Sequence, residues 1–233
     1  MRHRKHRSRL CKALVGTAAV VAAFIVTSVA LVLPLRFTTP ATTAFILQDD
    51  SGRVPVARAW LPWPQLGTRL PLAVVAAEDQ KFGTHFGFDL ESIRQSVADF
   101  SDGESLRGAS TITQQLAKNL FLWPGRSFVR KGLEAWFTVV LESCLPKRRI
   151  LELYLNVVEF GPGIYGAAAA SRHYFGREPG RLNAAQAALL AAVLPNPARL
   201  DAARPSRYLR ERQRWILAQM ARLERDGWLA TID

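Results

Sequence analysis

The stretch AAEDQKFGTHFGFD, Ala76 to Asp89, follows directly on the apolar run Leu72-Ala73-Val74-Val75. Helical spacing places Glu78 beside Val74 and Val75, at i−4 and i−3, with Phe82 at i+4. Asp79 is rotated about 100° away. Pro71 suits a first helical turn, so the spacing predicts a helix from Pro71 to about Lys81. A carboxylate among aliphatic and aromatic groups is partly desolvated, which raises its pKa and makes it a better base near neutral pH. The segment alone leaves two readings of Glu78 open: a base, or a surface glutamate at a helix end. His85, Gly87 and Asp89 follow in a turn, where a histidine close to two acids can orient one of them.

Helical periodicity continues outward from this stretch. Asp89 can cap a helix carrying Leu90, Ile93, Val97 and Phe100. Ser110 to Leu122 reads as a helix with Ile112, Leu116 and Leu120 on one face. Leu133, Phe137, Val140, Leu141 and Cys144 mark another, ending near Pro146. Arg149–Val158, Tyr165–Phe175, Asn183–Leu194 and Pro205–Arg225 complete the set. No strand pair and no repeat is expected, so the fold class is all-α.

The ends of the chain are different in kind. Residues 1–12 carry Arg2, Arg4, Lys5, Arg7, Arg9 and Lys12 and no acid, and form a basic tail. Residues 13–33 run without a charge until Pro34. About 20 apolar residues span a bilayer as a helix, and the basic flank stays in the cytoplasm. The expectation is therefore a transmembrane anchor over 13–33, with everything after it on the far side. A cleaved signal peptide is the alternative, because Ser28-Val29-Ala30 resembles a small-x-small cleavage site. Residues 34–64 hold five prolines and read as a juxtamembrane segment. Its Trp60 and Trp63 either sit at the lipid–water interface or pack on the domain. The domain proper is expected over 65–233. In the last helix, Arg207, Arg210, Arg212, Arg214, Arg222 and Arg225 read as a solvated face, or as a contact for anionic lipid headgroups.

A formal net charge of +12 calls for an anionic partner. Nucleic acid is not expected, since a basic export flank explains part of the charge and no nucleic-acid-binding signature occurs. Cys11 and Cys144 form no framework and no zinc spacing. The absence of HExxH, P-loop, GxSxG and SxxK patterns leaves zincin, nucleotide-hydrolysis and serine-nucleophile readings without support.

Two further stretches carry chemistry. In GASTITQQLAKNLFL, Gly108 to Leu122, Thr111, Gln115 and Lys118 form a polar stripe at i, i+4 and i+7, flanked by Ser110 and Gln114. Hydroxyl, amide and ammonium groups suit sugar hydroxyls and a phosphate; a polar solvent face is the bland alternative. In RKGLEAWF, Arg130 to Phe137, Glu134 lies at the edge of an apolar face, with Arg130 four residues before it and Lys131 alongside. Two partly desolvated acids, Glu78 and Glu134, suggest glycosidic chemistry.

Taken in order, EDQKFGTHFGFD, GASTITQQLAKNLFL, RKGLEAWF, KRRILELYLNVVEFGPGIYGAAAAS and LNAAQAALLAAVLPNPARL resemble the motif blocks of the family 51 peptidoglycan glycosyltransferases, in their monofunctional biosynthetic form. The resemblance covers roughly residues 65–200, with the motif core at 71–200. It implies a lysozyme-like helical domain with a second, membrane-facing lobe. It also implies polymerisation of lipid II into glycan strands with release of undecaprenyl pyrophosphate. Glu78 matches the catalytic glutamate, the base on the acceptor hydroxyl, and Glu134 matches the second catalytic acid, assigned to the donor pyrophosphate. Asp79, Phe82, His85, Ser110, Thr111, Gln115, Lys118, Arg130 and Lys131 match substrate-binding positions. A divalent cation, magnesium or manganese, held near Glu134 through the pyrophosphate is the one cofactor implied; no organic cofactor is expected. Lipid II, the growing strand, membrane lipids and other cell-wall synthesis proteins are the implied partners. The implied location is the bacterial inner membrane, single-pass, with the catalytic domain periplasmic. A lytic glycosidase is the rival enzyme and an inactive scaffold the rival from another class. A hydrolase has no pyrophosphate for Lys118, Arg130 and Lys131 to hold.

Overall fold

A computed structural model describes residues 2–49, 59–94, 110–125 and 127–232. Several expectations lie outside the described residues: those on Pro55, Val97, Phe100 and Gly108, and on the side chains of the basic tail up to Cys11.

Helix α1, Arg2–Val32, is followed by a 3-10 turn over Leu33–Arg36 that contains Pro34. Across the two, Leu14–Arg36 has a mean hydropathy of 2.5 and is long and apolar enough to cross a membrane. The outer part of this helix is docked. The Trp136 indole donates to Ser28 Oγ at 3.0 Å, and the Phe24 and Trp136 rings lie 5.4 Å apart. Val32 is fully buried. Arg36 donates to the Cys144 carbonyl at 3.3 Å, and Arg149 reaches the Leu35 and Thr38 carbonyls at 2.8 and 2.6 Å.

Short helices α2, Ala44–Leu47, and α3, Trp63–Leu66, lead into the domain. Trp60 and Trp63 are half-buried against the core, each under an arginine, Arg149 and Arg148 respectively. Both therefore pack on the domain. The principal helices are α4 (Arg69–Glu78), α5 (Ile112–Phe121), α6 (Phe128–Cys144), α7 (Lys147–Val157), α8 (Ala167–Phe175), α9 (Ala184–Val193) and α10 (Arg207–Arg225). Residues 90–94 are also helical, as the Asp89 cap predicts; Asp89 Oδ1 accepts from the Ser92 amide at 3.0 Å.

Helix α7 is the hub. It opens with the charged Lys147, Arg148 and Arg149 and is enclosed by the rest of the domain from Ile150 onward. Ile150 to Val157 are buried without exception. Its buried Asn156 pairs with both the amide and the carbonyl of Leu61 at 2.9 Å each. Helix α9 is alanine-rich and apolar all round, which lets α4 and α10 approach it closely. Its Asn183–Gln186 capping box fixes the start where the sequence places it.

Two expectations on secondary structure are corrected. A small hairpin does form: β1, Glu159–Gly161, pairs antiparallel with β2, Ile164–Tyr165. Strands this short show no alternation to read, and Pro162-Gly163 supplies the turn, with Gly163 at φ 73°. Helix α4 ends at Glu78 rather than Lys81, because Asp79 leaves helical geometry at φ −163° and ψ 76°.

Candidate active site

Glu78 is the last residue of α4, so its side chain emerges where the backbone turns away. Oε2 accepts from Gln115 Nε2 at 2.9 Å, and Oε1 accepts from Arg212 Nη2 at 3.2 Å. Gln115 is oriented in turn by Tyr154, whose hydroxyl donates to its Oε1 at 2.8 Å. Burial pushes the Glu78 carboxyl above the usual carboxylate range, against the opposing pull of Gln115 and Arg212. Burial also holds the Tyr154 phenol well above its ordinary value, so it remains a donor.

Asp79 does a different job, and the structure corrects the simple helical picture. Its side chain is more buried than that of Glu78, at 2% against 11% exposure. Oδ2 accepts from the Ile112 amide at 3.0 Å, in the first turn of α5, where backbone donors are unpaired and the helix dipole favours an anion. Oδ1 meets His85 Nε2 at 2.8 Å. Thr111, the N-cap of α5, donates to the Gly87 carbonyl at 2.7 Å. Gly87 has φ +74°, and a Cβ there would lie 2.5 Å from Thr138 Cγ2. The EDQKFGTHFGFD loop is thus clamped onto α5 and α6. Phe82 is fully buried beneath the Lys147 ammonium, 4.6 Å from its ring centroid, and is not four residues along a continuous helix from Glu78.

A cleft of about 440 Å³ opens beside Glu78 and is lined by Ser110, Gln114, Gln115, Lys118, Arg130, Lys131 and Glu134, with Leu194 and Pro195. A second recess of about 390 Å³ shares Glu78 and Ser110 and adds Asp79, Thr111, Lys81, Ser92 and Trp215. Glu134 is buried on α6, and both its oxygens are taken: Arg130 donates to Oε2 at 2.8 Å and Lys131 to Oε1. Lys118 points into the same cleft, its ammonium 5.2 Å from the Phe45 ring. Desolvation holds its pKa below the usual lysine value, with Arg130 and Lys131 adding to the effect. Lys118, Arg130 and Lys131 outnumber the carboxylates of Glu134 and Glu78, so the cleft is net positive and suited to an anion such as a pyrophosphate.

Of the residues singled out from sequence, Glu78, Ser110, Gln115, Lys118, Arg130, Lys131 and Glu134 line the main cleft. Asp79 and Thr111 line the second recess. Phe82 and His85 line neither and support the loop from behind. Arg212 and Tyr154 were not visible as site residues. Arg207, Arg210, Arg214, Arg222 and Arg225 are exposed, which fits either a solvated face or a headgroup contact, whereas Arg212 is half-buried on Glu78 and fits neither. A signal was present: Leu209, Ile216 and Met220 are the buried stripe of α10, and Arg212 falls on it at i+3 from Leu209 and i−4 from Ile216.

Residues 49–221 match the family described as Transglycosylase, which is most of the chain. The chain belongs to the transglycosylase family. This transglycosylase is 49% identical over 221 residues to a biosynthetic peptidoglycan transglycosylase of Pseudomonas fluorescens, covering 92% of this chain and 89% of that protein. It is 52% identical over 211 residues to one of Stutzerimonas stutzeri, covering 88% and 87%. To one of Pseudomonas aeruginosa it is 48% identical over 216 residues, covering 90% and 93%. The transglycosylase match includes every residue that lines the main cleft.

Proposed function

We propose that this transglycosylase is a membrane-anchored peptidoglycan glycosyltransferase that polymerises lipid II, with Glu78 as the base. The observation that supports this most directly is one cleft holding a half-buried, hydrogen-bonded carboxylate together with Lys118, Arg130 and Lys131. The acceptor 4-hydroxyl gives its proton to Glu78 as its oxygen attacks the donor anomeric carbon. The bond from that carbon to the pyrophosphate oxygen breaks, and the pyrophosphate leaves with the electron pair, inverting the centre. Pyrophosphate is a good leaving group, so positive charge serves it better than a general acid. Lys118, Arg130 and Lys131 supply that charge. Glu134 holds Arg130 and Lys131 in place as a buried counter-charge. Ser110 and Gln115 offer hydrogen bonds to the sugar–phosphate region.

Glu134 by itself does not make a metal site. Both its oxygens are paired, and among the described residues no three His, Cys, Asp or Glu side chains converge. A divalent cation enters the proposal only as a passenger on the substrate phosphates, and no step runs through it. The apolar helix fits a single-pass membrane protein. The finer reading is an inner-membrane protein with a cytoplasmic N-terminus and a periplasmic domain. The exposed Phe128 and Val129 at the start of α6 form part of a membrane-facing lobe.

The base must be ionised to act. Its carboxyl titrates above the usual range, so activity is expected to fall as pH drops through that raised pKa. Lys118 loses its charge earlier than an ordinary lysine as pH rises, which sets the opposing limb. In a gel assay of labelled lipid II, Glu78→Gln is expected to lower polymerisation by about 10²-fold or more. Near wild-type polymerisation by that variant would remove Glu78 from the role of base.

A further inference from the structure

The carboxylate of Glu78 is held from two sides by elements far apart in the chain. On one side stands the Tyr154–Gln115 pair, which turns the Gln115 amide donor toward Oε2. On the other stands Arg212, 134 residues away on α10, whose Nη2 reaches both Glu78 Oε1 at 3.2 Å and the Ala77 carbonyl at 3.4 Å. The Arg212 side chain is 22% exposed, and its Nε is buried without a hydrogen-bond partner among the described residues. Among the described residues the anion paired with this guanidinium is Glu78, the proposed base. Arg212 lines neither the cationic cleft nor the recess beside it.

We infer that Arg212 is a positioning residue for the transfer reaction: its guanidinium keeps the Glu78 carboxylate in its basic form and fixes its direction at the end of α4. The inference rests on the reading of Glu78 as the base. Physically, a carboxylate at a dry helix end tends to hold its proton, and a fixed opposite charge within about 4 Å counters that tendency. Gln115 contributes a hydrogen bond but no charge. Of the other charged groups near Glu78, Asp79 works in the opposite direction, raising the Glu78 pKa. Lys118, Arg130, Lys131 and Glu134 share the cleft with it, and Tyr154 stays neutral. Arg212 is therefore the cation bonded directly to the base, set behind it and outside the cleft that would hold the pyrophosphate.

The test is the pH profile of kcat for full-length protein polymerising lipid II in vesicles, with Arg212→Gln, Arg212→Met and Arg212→Lys beside wild type and Glu78→Gln. Removing the charge raises the Glu78 pKa further. The acid limb of Arg212→Gln and Arg212→Met is expected to move up by about 1 pH unit, with kcat climbing back toward wild type above it and KM little changed. Arg212→Lys is expected to bring the limb back toward its wild-type position. A lowered kcat that no rise in pH restores, with the limb unmoved, would overturn the inference and leave the base assignment standing. A raised KM with an unmoved limb would overturn it in favour of a substrate contact. Failure of both uncharged variants to fold would overturn it in favour of a structural brace. Activity retained by Glu78→Gln would instead remove the base reading, and the inference with it.

Discussion

At the scale of single residues, the site works by dividing two adjacent acids between two tasks. Glu78 keeps a hydrogen-bonded carboxylate at the edge of a cleft, while Asp79 is spent on the Ile112 amide and His85. The hydroxyl of Tyr154 fixes which end of the Gln115 amide faces Glu78. Tyr154→Phe is expected to lower kcat several-fold, matching the loss of one neutral hydrogen bond of about 1 kcal/mol. The melting temperature is expected to fall by about 2–4 °C, and lipid II polymerisation beside a thermal melt checks both. For Glu78 and Lys118 the local spacing left a surface reading open, and the ordered motif blocks singled them out; Arg130 and Glu134 could be paired at i+4 from spacing alone. Arg212 was obscured by five solvent-facing arginines on its own helix, and only the buried stripe distinguishes it. The burial of Asp79 was not legible at all, since its partners lie across a turn and at the start of another helix.

At the scale of elements, helices were legible wherever a cap and an apolar stripe agreed. Asn183 and Thr111 both form capping boxes, and α9 and α5 begin within a residue or two of where the pattern sets them. Boundaries failed where a side chain was recruited by tertiary structure, as at Asp79, and where an element was too short to show a period, as in the hairpin. Between α7 and the segment before α3, the Asn156 amide makes a two-way hydrogen-bonded pair with Leu61, beside the stacking of Arg149 on Trp60. Asn156→Ala removes the partner of both the Leu61 N–H and its carbonyl. A buried unpaired polar group costs about 1–3 kcal/mol, so the melting temperature is expected to fall by several degrees. Differential scanning fluorimetry in detergent reads this directly, and an unchanged melt would mean that Leu61 finds other partners.

At the scale of the whole molecule, the outer part of α1, the proposed anchor, packs against the domain. Trp136 is half-buried and takes part in both the ring contact with Phe24 and the bond to Ser28. Trp136→Ala is expected to lower polymerisation several-fold in vesicles, where the anchor must hold the domain in place. It should have less effect in detergent micelles, where no bilayer sets an orientation. Trp136→Phe, which keeps a ring but not the indole donor, should fall between the two. Equal activity of all three proteins in vesicles would show that docking has no catalytic consequence. Arg36 and Arg149 extend the same seam to the Cys144, Leu35 and Thr38 carbonyls. On the proposed anchoring, a domain fastened in this way would lose the freedom to tilt or bob and keep two motions: gliding in the plane of the sheet of lipid and spinning about its normal. A rigid strand growing from the cleft would share that spin, so each added sugar that winds the strand must be accommodated by the enzyme turning, or by the strand slipping in its grip.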